Sequence, residues 1–299
     1  MKTIGYIGLG KMGRNMVERL TNAGWRVVAY DTMPANVAEA AKLGAEGAVS
    51  PQAVLEQISS PRLIWLMVPH QAIDQVLGEI APYLQAGDTV IDGGNSNFNE
   101  TVRRGKELAE KGVHYLDAGT SGGPGGAKEG ACVMVGGEKK IFEKYEALFR
   151  DIAAPDAYAY MGESGTGHFV KMVHNGIEYG MMQAIAEGFE VLKVSPFNLD
   201  LVEVARIYNN KSVIESRLTG WLEKGLREEG VELGAISGSV SASGEGLWTV
   251  ETAKEFGVPV PVIEKSLRFR EESQQKPSFT GKVLSLLRNQ FGGHETKVK

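Results

Sequence analysis

A chain of 299 residues, 42% hydrophobic and 23% charged, has ordinary globular composition and length enough for two domains with a sizeable core. Its net charge of -5 argues against a general nucleic-acid surface, though not against a local basic pocket for a small anion. The one cysteine, Cys132, excludes an internal disulfide framework, fits a reducing compartment and reads as a small buried apolar side chain.

The N-terminal MKTIGYIGLG is broken by glycines and reads as a strand entering a turn rather than as a secretory signal. Gly8-x-Gly10-x-x-Gly13 follows this apolar strand and opens a helical pattern over 12–23, after which comes a second strand, RVVAYD. In that setting the first glycine permits a tight turn, the second lets backbone approach a pyrophosphate, and the third permits close helix–strand packing. The helix start, with Lys11 and Met12, supplies donors to the phosphates. Asp31 ends the second strand, where a carboxylate accepts from the adenosine ribose and repels a 2′-phosphate. Thr32 and Met33 provide no cation for that phosphate, so NAD is expected over NADP.

RLIWLMVP and DTVIDGGNS read as buried parallel strands with a helix over 71–83 between them. The apolar run LIWLMV is the longest obvious one and is strand-sized, so no membrane span is expected and a cytoplasmic enzyme is the default. A charge-patterned helix over 100–111 leads to VHYLDAGTSGG and ACVMVGG. This rhythm predicts an α/β Rossmann-type doubly wound domain over residues 1–162, with ligand loops at the strand ends. Val68 and Pro69 leave the fourth strand on the cofactor side. Asn95, Ser121, Gly122 and Gly123 leave later strands as donors to substrate and nicotinamide.

After residue 161 the strand patterns fade, and residues 163–299 are expected to form an all-α domain. One long helix ends at VSPFN; further helical patterns run over 199–208, 213–224, 248–256, 260–272 and 280–290. The long helix contains KMVHNGIEYGMMQAIAEG, in which Lys171, His174, Asn175, Glu178 and Tyr179 fall at i, i+3, i+4, i+7 and i+8. A polar stripe is ordinarily a solvated face. This one holds His, Asn and Tyr, and the neighbouring Gly176, Gly180 and Gly188 suggest a close approach to the backbone. Lys171 stands just past the domain junction, and clefts between domains commonly hold small ligands.

GLGKMGRN, DGGNS, SGGPGGA, KMVHNGIEYG and GLWTVETAKEFGVPVPVI, in this order, resemble the motifs of the decarboxylating 6-phosphogluconate dehydrogenases. The match spans essentially the whole chain, which looks like the short, NAD-preferring branch. The resemblance implies oxidation of 6-phosphogluconate at C3, loss of CO2 and formation of ribulose 5-phosphate, a step of the pentose phosphate pathway and gluconate metabolism. It implies Lys171 as general base and Glu178 as general acid. It assigns Ser121, Gly122 and Gly123 to the carboxylate, Asn95, His174 and Asn175 to the sugar chain, and Tyr179 to the phosphate. Arg270 matches the family's phosphate arginine, whereas Ser243 stands where the family has a lysine. RNQFGGH resembles the segment whose Arg and His, here Arg288 and His294, reach into a neighbouring subunit's site. A homodimer or homotetramer is therefore expected. A ketone β to the carboxylate is already an electron sink, so no metal is called for, and no His/Asp/Glu cluster argues for one. The alternative is an NAD-dependent β-hydroxyacid dehydrogenase acting on a small 3-hydroxy acid. It shares the fingerprint, the SGG loop, Lys171 and Asn175, but has no use for Arg270, Arg288 and His294.

Overall fold

Apolar runs of four to six residues become strands here because both of their faces are covered. The computed structural model describes residues 2–241 and 244–296. The chain divides into two compact units, Met1–Lys171 and Met172–Lys299.

In the first unit β1 (Thr3–Ile7), α1 (Lys11–Asn22), β2 (Arg26–Tyr30), α2 (Pro34–Lys42), β3 (Glu46–Gly47), α3 (Pro51–Glu56), β4 (Leu63–Leu66), α4 (Ile73–Ile80) and β5 (Thr89–Asp92) follow one another. Then come α5 (Phe98–Ala109), β6 (His114–Ser121), α6 (Gly123–Glu129), β7 (Ala131–Gly136), α7 (Lys139–Lys144), α8 (Glu146–Ile152) and β8 (Ala153–Gly162). The sheet order is β3-β2-β1-β4-β5-β6-β7-β8. All neighbours pair parallel except β6 and β7, which are antiparallel. Alternate strand residues feed two cores. Val27, Ala29, Leu63 and Trp65 join one, and Val28, Ile64, Leu66 and Val90 join the other. Burying each such side chain fully stabilises the fold by roughly 1.5–3 kcal/mol. Strand order reverses between β1 and β4, the crevice where such sheets bind ligands.

The second unit continues α9 (Thr166–Val194), a helix that begins in the first, and adds α10 (Leu201–Tyr208), α11 (Arg217–Glu229), α12 (Glu245–Glu255), α13 (Pro261–Glu272) and α14 (Phe279–Gly292). Its core gathers Met182, Phe189, Leu222 and Leu226 around Val283, Leu284, Leu286 and Leu287 of α14.

The division between the two compact units falls at Lys171 because the first turns of α9 pack on the sheet after β8 ends at Gly162. Two expectations differ from the structure. α11 starts after Ser216, whose hydroxyl caps the Thr219 N–H, so Val213 lies outside the helix and is exposed. Cys132 is exposed on β7 rather than buried. Among the described residues no helix is long and apolar enough to cross a membrane.

Candidate active site

The glycine fingerprint is set where β1 meets α1. Gly8 has φ +102°, and a Cβ there would lie 2.3 Å from the Met67 carbonyl oxygen at the end of β4. Only glycine satisfies both constraints. A Cβ on Gly13 would meet the Gly8 carbonyl oxygen at 2.0 Å, so α1 sits directly on the turn. Gly10 is the N-cap of α1, and open space lies beside it. These three environments suit a tight turn, close helix packing and an approach to phosphate, so the residues present fit a dinucleotide. Lys11 and Met12 occupy the first turn, as expected.

Asp31 follows β2 directly. One carboxylate oxygen accepts from the Leu9 N–H at 2.6 Å; the other accepts from the Met33 N–H at 2.8 Å and Asn36 Nδ2 at 3.1 Å. The residue thus clamps the glycine turn and caps the approach to α2 as well as presenting a negative charge.

The loops after β4 and β5 stand side by side: a Cβ on Gly94 would lie 2.8 Å from the Val68 carbonyl oxygen. Val68 is half-buried, while Pro69 and Asn95 are exposed. Asn95 is carried on a loop that Asp92 organises. The fully buried Asp92 accepts from the Gly94 N–H at 3.0 Å, Ser96 Oγ at 2.6 Å and the Tyr115 hydroxyl at 3.1 Å. Burial, then the charge of Asp92, pushes the Tyr115 phenol well above its ordinary range, so it remains a donor. Arg104 of α5 lies 3.9 Å from Asp92 and forms a two-pronged pair with Asp74 of α4, 2.8 Å at both contacts. Nothing in the sequence singles out this support, because Arg104 falls within the charge-patterned stretch over 100–111. Its nearest signal is the aspartate that ends β5 immediately before two glycines. Ser121, Gly122 and Gly123 lie half-buried at the end of β6 and the start of α6.

On α9 the polar stripe is not the solvated face. Lys171 is 8% exposed and Tyr179 5%, and Asn175 is also buried, whereas Ile177 and Met181 are 53% and 43% exposed. The amphipathic rule is inverted along this segment. His174 Nδ1 lies 3.1 Å from Asn175 Oδ1 and 3.8 Å from Glu178 Oε2. Two of the glycines serve helix packing: a Cβ on Gly176 would meet Thr249 of α12 at 2.6 Å, and one on Gly180 would meet Val262 of α13 at 3.2 Å, whereas Gly188 has open space beside it and no close approach explains it. Thr249 Oγ1 donates to the Met172 carbonyl oxygen at 2.8 Å, fixing that crossing.

Within the second unit, Arg270 of α13 lies over the Tyr179 ring, 3.5 Å from its centroid. Its Nη1 donates to the Ser241 carbonyl oxygen at 3.4 Å, and its Nε has no hydrogen-bond partner among the described residues. Arg288 of α14 donates to Ser241 Oγ at 2.7 Å, so one serine joins both guanidinium groups. Both arginines are buried. Burial, with Arg288 adding to it, pushes Arg270 down to about 10, against the pull of Tyr179 and Glu178. Burial lowers Arg288 too. Two desolvated cations beside one phenol make a setting that a doubly charged anion would complete. Arg288 therefore joins Arg270 in its own chain. His294 is exposed beyond α14, its ring 6.4 Å from that of Phe291. Ser243 lies outside the described residues. Ser241 was not foreseen from the sequence, because a serine in a polar loop carries no distinguishing pattern.

A fingerprinted sheet followed by a helical unit with an inward-turned polar helix face defines the class of nicotinamide-dinucleotide dehydrogenases with an all-α second domain. Residues 3–162 match the NAD-binding domain of 6-phosphogluconate dehydrogenase and residues 167–293 match the C-terminal domain of 6-phosphogluconate dehydrogenase. The chain belongs to the 6-phosphogluconate dehydrogenase family. It is 49% identical over 296 residues to the putative 6-phosphogluconate dehydrogenase YqeC of Bacillus subtilis, covering 99% of each chain. It is 45% identical over 298 residues, again covering 99% of each, to the NAD(+)-dependent, decarboxylating 6-phosphogluconate dehydrogenase of Haloferax volcanii. Among solved structures, the 6-phosphogluconate dehydrogenase of Plasmodium falciparum superposes with a TM-score of 0.82 at 30% identity, over 92% of this chain and 62% of that one. A 3-hydroxyisobutyrate dehydrogenase of Mycobacterium tuberculosis shares the fold, with a TM-score of 0.75 at 20% identity over 96% and 99% of the two chains.

Proposed function

We propose that the protein catalyses NAD-dependent oxidative decarboxylation of 6-phosphogluconate to ribulose 5-phosphate. The observation that carries this reading is the buried Arg270–Tyr179–Arg288 cluster on the unit whose helix α9 also bears Glu178 and follows directly from Lys171. A phosphate dianion supplies the charge that two desolvated guanidinium groups lack. A small 3-hydroxy acid does not.

Gly8, Gly10, Gly13, Lys11, Met12, Asp31, Val68, Pro69 and Asn95 hold the cofactor, which when bound supplies the hydride acceptor for C3. Lys171 takes the proton of the C3 hydroxyl and then, as an ammonium, supports the carbonyl oxygen while CO2 departs. Ser121, Gly122 and Gly123 hold the carboxylate that leaves, and Asn95, His174 and Asn175 orient the sugar chain. Glu178, two helical turns beyond Lys171, returns a proton to C1 of the enediol. Asp31 with Thr32 and Met33 supports NAD over NADP. His294 serves a neighbouring subunit's site in a homodimer or homotetramer, a role in keeping with its exposed place beyond α14.

Turnover with 6-phosphogluconate and NAD, following NADH and CO2 together, tests the reading. The two products should appear in equal amounts, and 3-hydroxyisobutyrate should be a poor substrate. Efficient NADH formation from 3-hydroxyisobutyrate, with little from 6-phosphogluconate, would establish the β-hydroxyacid alternative instead.

A further inference from the structure

Lys171 stands six residues into α9, and what fixes it lies beneath it on the sheet. Asp117 and Gly119 are alternate residues of β6 and so share one face. Asp117 is fully buried and caps the start of α9: its two carboxylate oxygens accept from the Gly165 and His168 N–H groups, each at 2.8 Å. Two residues on, a Cβ at Gly119 would lie 2.5 Å from Lys171 Cβ and 2.7 Å from the Gly167 carbonyl oxygen. The seat extends to β7. Gly136 pairs opposite Asp117, and a Cβ there would fall 2.7 Å from the Gly167 nitrogen. A Cβ on Gly167 would itself meet the Met134 carbonyl oxygen at 2.4 Å. Helix backbone therefore rests against strand backbone. A second fastening comes from α5, where Thr101 Oγ1 lies 2.7 Å from Nδ1 of the buried His168, one turn before Lys171.

We propose that Asp117 and Gly119 are positioning residues for Lys171: the carboxylate fixes where α9 begins, and the missing side chain fixes how closely the lysine stem lies on β6. Ser121 is the next residue on that face of β6, so the same strand registers the base against the SGG loop. Neither residue touches the reacting atoms. The arrangement holds a flexible lysine by its stem. This inference rests on Lys171 being the base.

Gly119→Ala, Asp117→Asn and Lys171→Ala are compared with the parent enzyme. Displacing the lysine stem should lower kcat about 100-fold in Gly119→Ala while KM for 6-phosphogluconate changes only about twofold. NADH affinity should stay near that of the parent. Hydride transfer then limits turnover, so deuterium at C3 of the substrate should slow kcat more than in the parent. General damage to the fold would lower the active fraction and leave the isotope effect where it was. Asp117→Asn should show the same split, because the two N–H groups bond different carboxylate oxygens and the amide nitrogen that replaces one of them cannot accept. An unchanged kcat and isotope effect in the folded variants overturns the proposal. Should neither variant fold, amide exchange in the parent decides. Gly165 and His168 should exchange as slowly as the centre of β6, and exchange at the rate of an exposed helix end overturns the claim. The Lys171→Ala arm separates the two layers. If it forms NADH normally, the assignment of the base fails. If it is inactive while Gly119→Ala and Asp117→Asn behave as the parent, only the positioning claim fails.

Discussion

Lys171 and Glu178 share a helix face but should fail at different steps. On the proposed reading Lys171→Met removes the proton acceptor for the C3 hydroxyl, and kcat for NADH formation should fall about 1,000-fold or more. Glu178→Gln leaves hydride transfer possible and should slow delivery of the C1 proton. Single-turnover NADH formation should therefore stay closer to normal than steady-state turnover, and the measurement is a comparison of burst and steady-state rates. Near-normal NADH formation by Lys171→Met would remove it as the base. Cofactor choice is argued at Asp31. Asp31→Asn with Thr32→Arg should raise kcat/KM with NADP and lower it with NAD, since the 2′-phosphate loses a repelling charge and gains an arginine. An unaltered ratio would place selectivity elsewhere. The stripe from Lys171 to Tyr179 is legible in the sequence because helix periodicity alone puts those residues on one side. That this side is covered is signalled by its His, Asn and Tyr, whereas periodicity identifies a face without saying what covers it.

Helices α12 and α13 hold the arginine cluster in shape. A Cβ on Gly246 would lie 2.6 Å from the Tyr179 ring that supports Arg270. Gly246→Ala should therefore destabilise the protein by about 1–3 kcal/mol through overpacking and raise KM for 6-phosphogluconate. Thermal melts and steady-state kinetics on one preparation would check both. In the first unit the turn into β5 is built on Asp88, which is fully buried. Burial by itself would raise its carboxyl. The Arg62 and Gln85 N–H groups, the Arg62 guanidinium and Ser60 outweigh that and hold it below the usual carboxylate range. A carboxyl lowered by folding stabilises the protein above its unfolded pKa of about 3.9 and loses that contribution as pH falls through the folded value. Stability should thus drop below about pH 4, and Asp88→Asn, less stable at neutrality, should show a shallower acid decline in urea titrations. Most elements follow from apolar runs and helical periods. The reversed direction of β7 does not, because a buried strand reads alike in either orientation, and a short α6 in place of a crossover helix is the only hint.

For the molecule as a whole, the placement of Arg288 alters what a subunit-mixing experiment should give. Arg288 joins Arg270 and Ser241 of its own chain, while His294 is exposed beyond α14. On the proposed reading, Lys171→Ala and Arg288→Ala disable the same site. Mixtures of these two should recover no activity. Lys171→Ala mixed with His294→Ala should recover activity, because one site of a mixed dimer then has both an intact lysine and an intact partner histidine. Activity from the first mixture, with mixed dimers shown to form, would mean that the arginine serves the other chain.

Asp31 carries a consequence for descent. Its carboxylate clamps Leu9 inside the glycine turn and caps Met33, besides the ribose contact proposed for it. Replacing it alone unfastens the turn on which either dinucleotide depends. A lineage moving from one cofactor to the other by single steps must pass through a chain that binds both poorly, unless a second change restores the clamp first. Preference at this position should be inherited conservatively and, where it does switch, should switch with Thr32 or Asn36 altered alongside it.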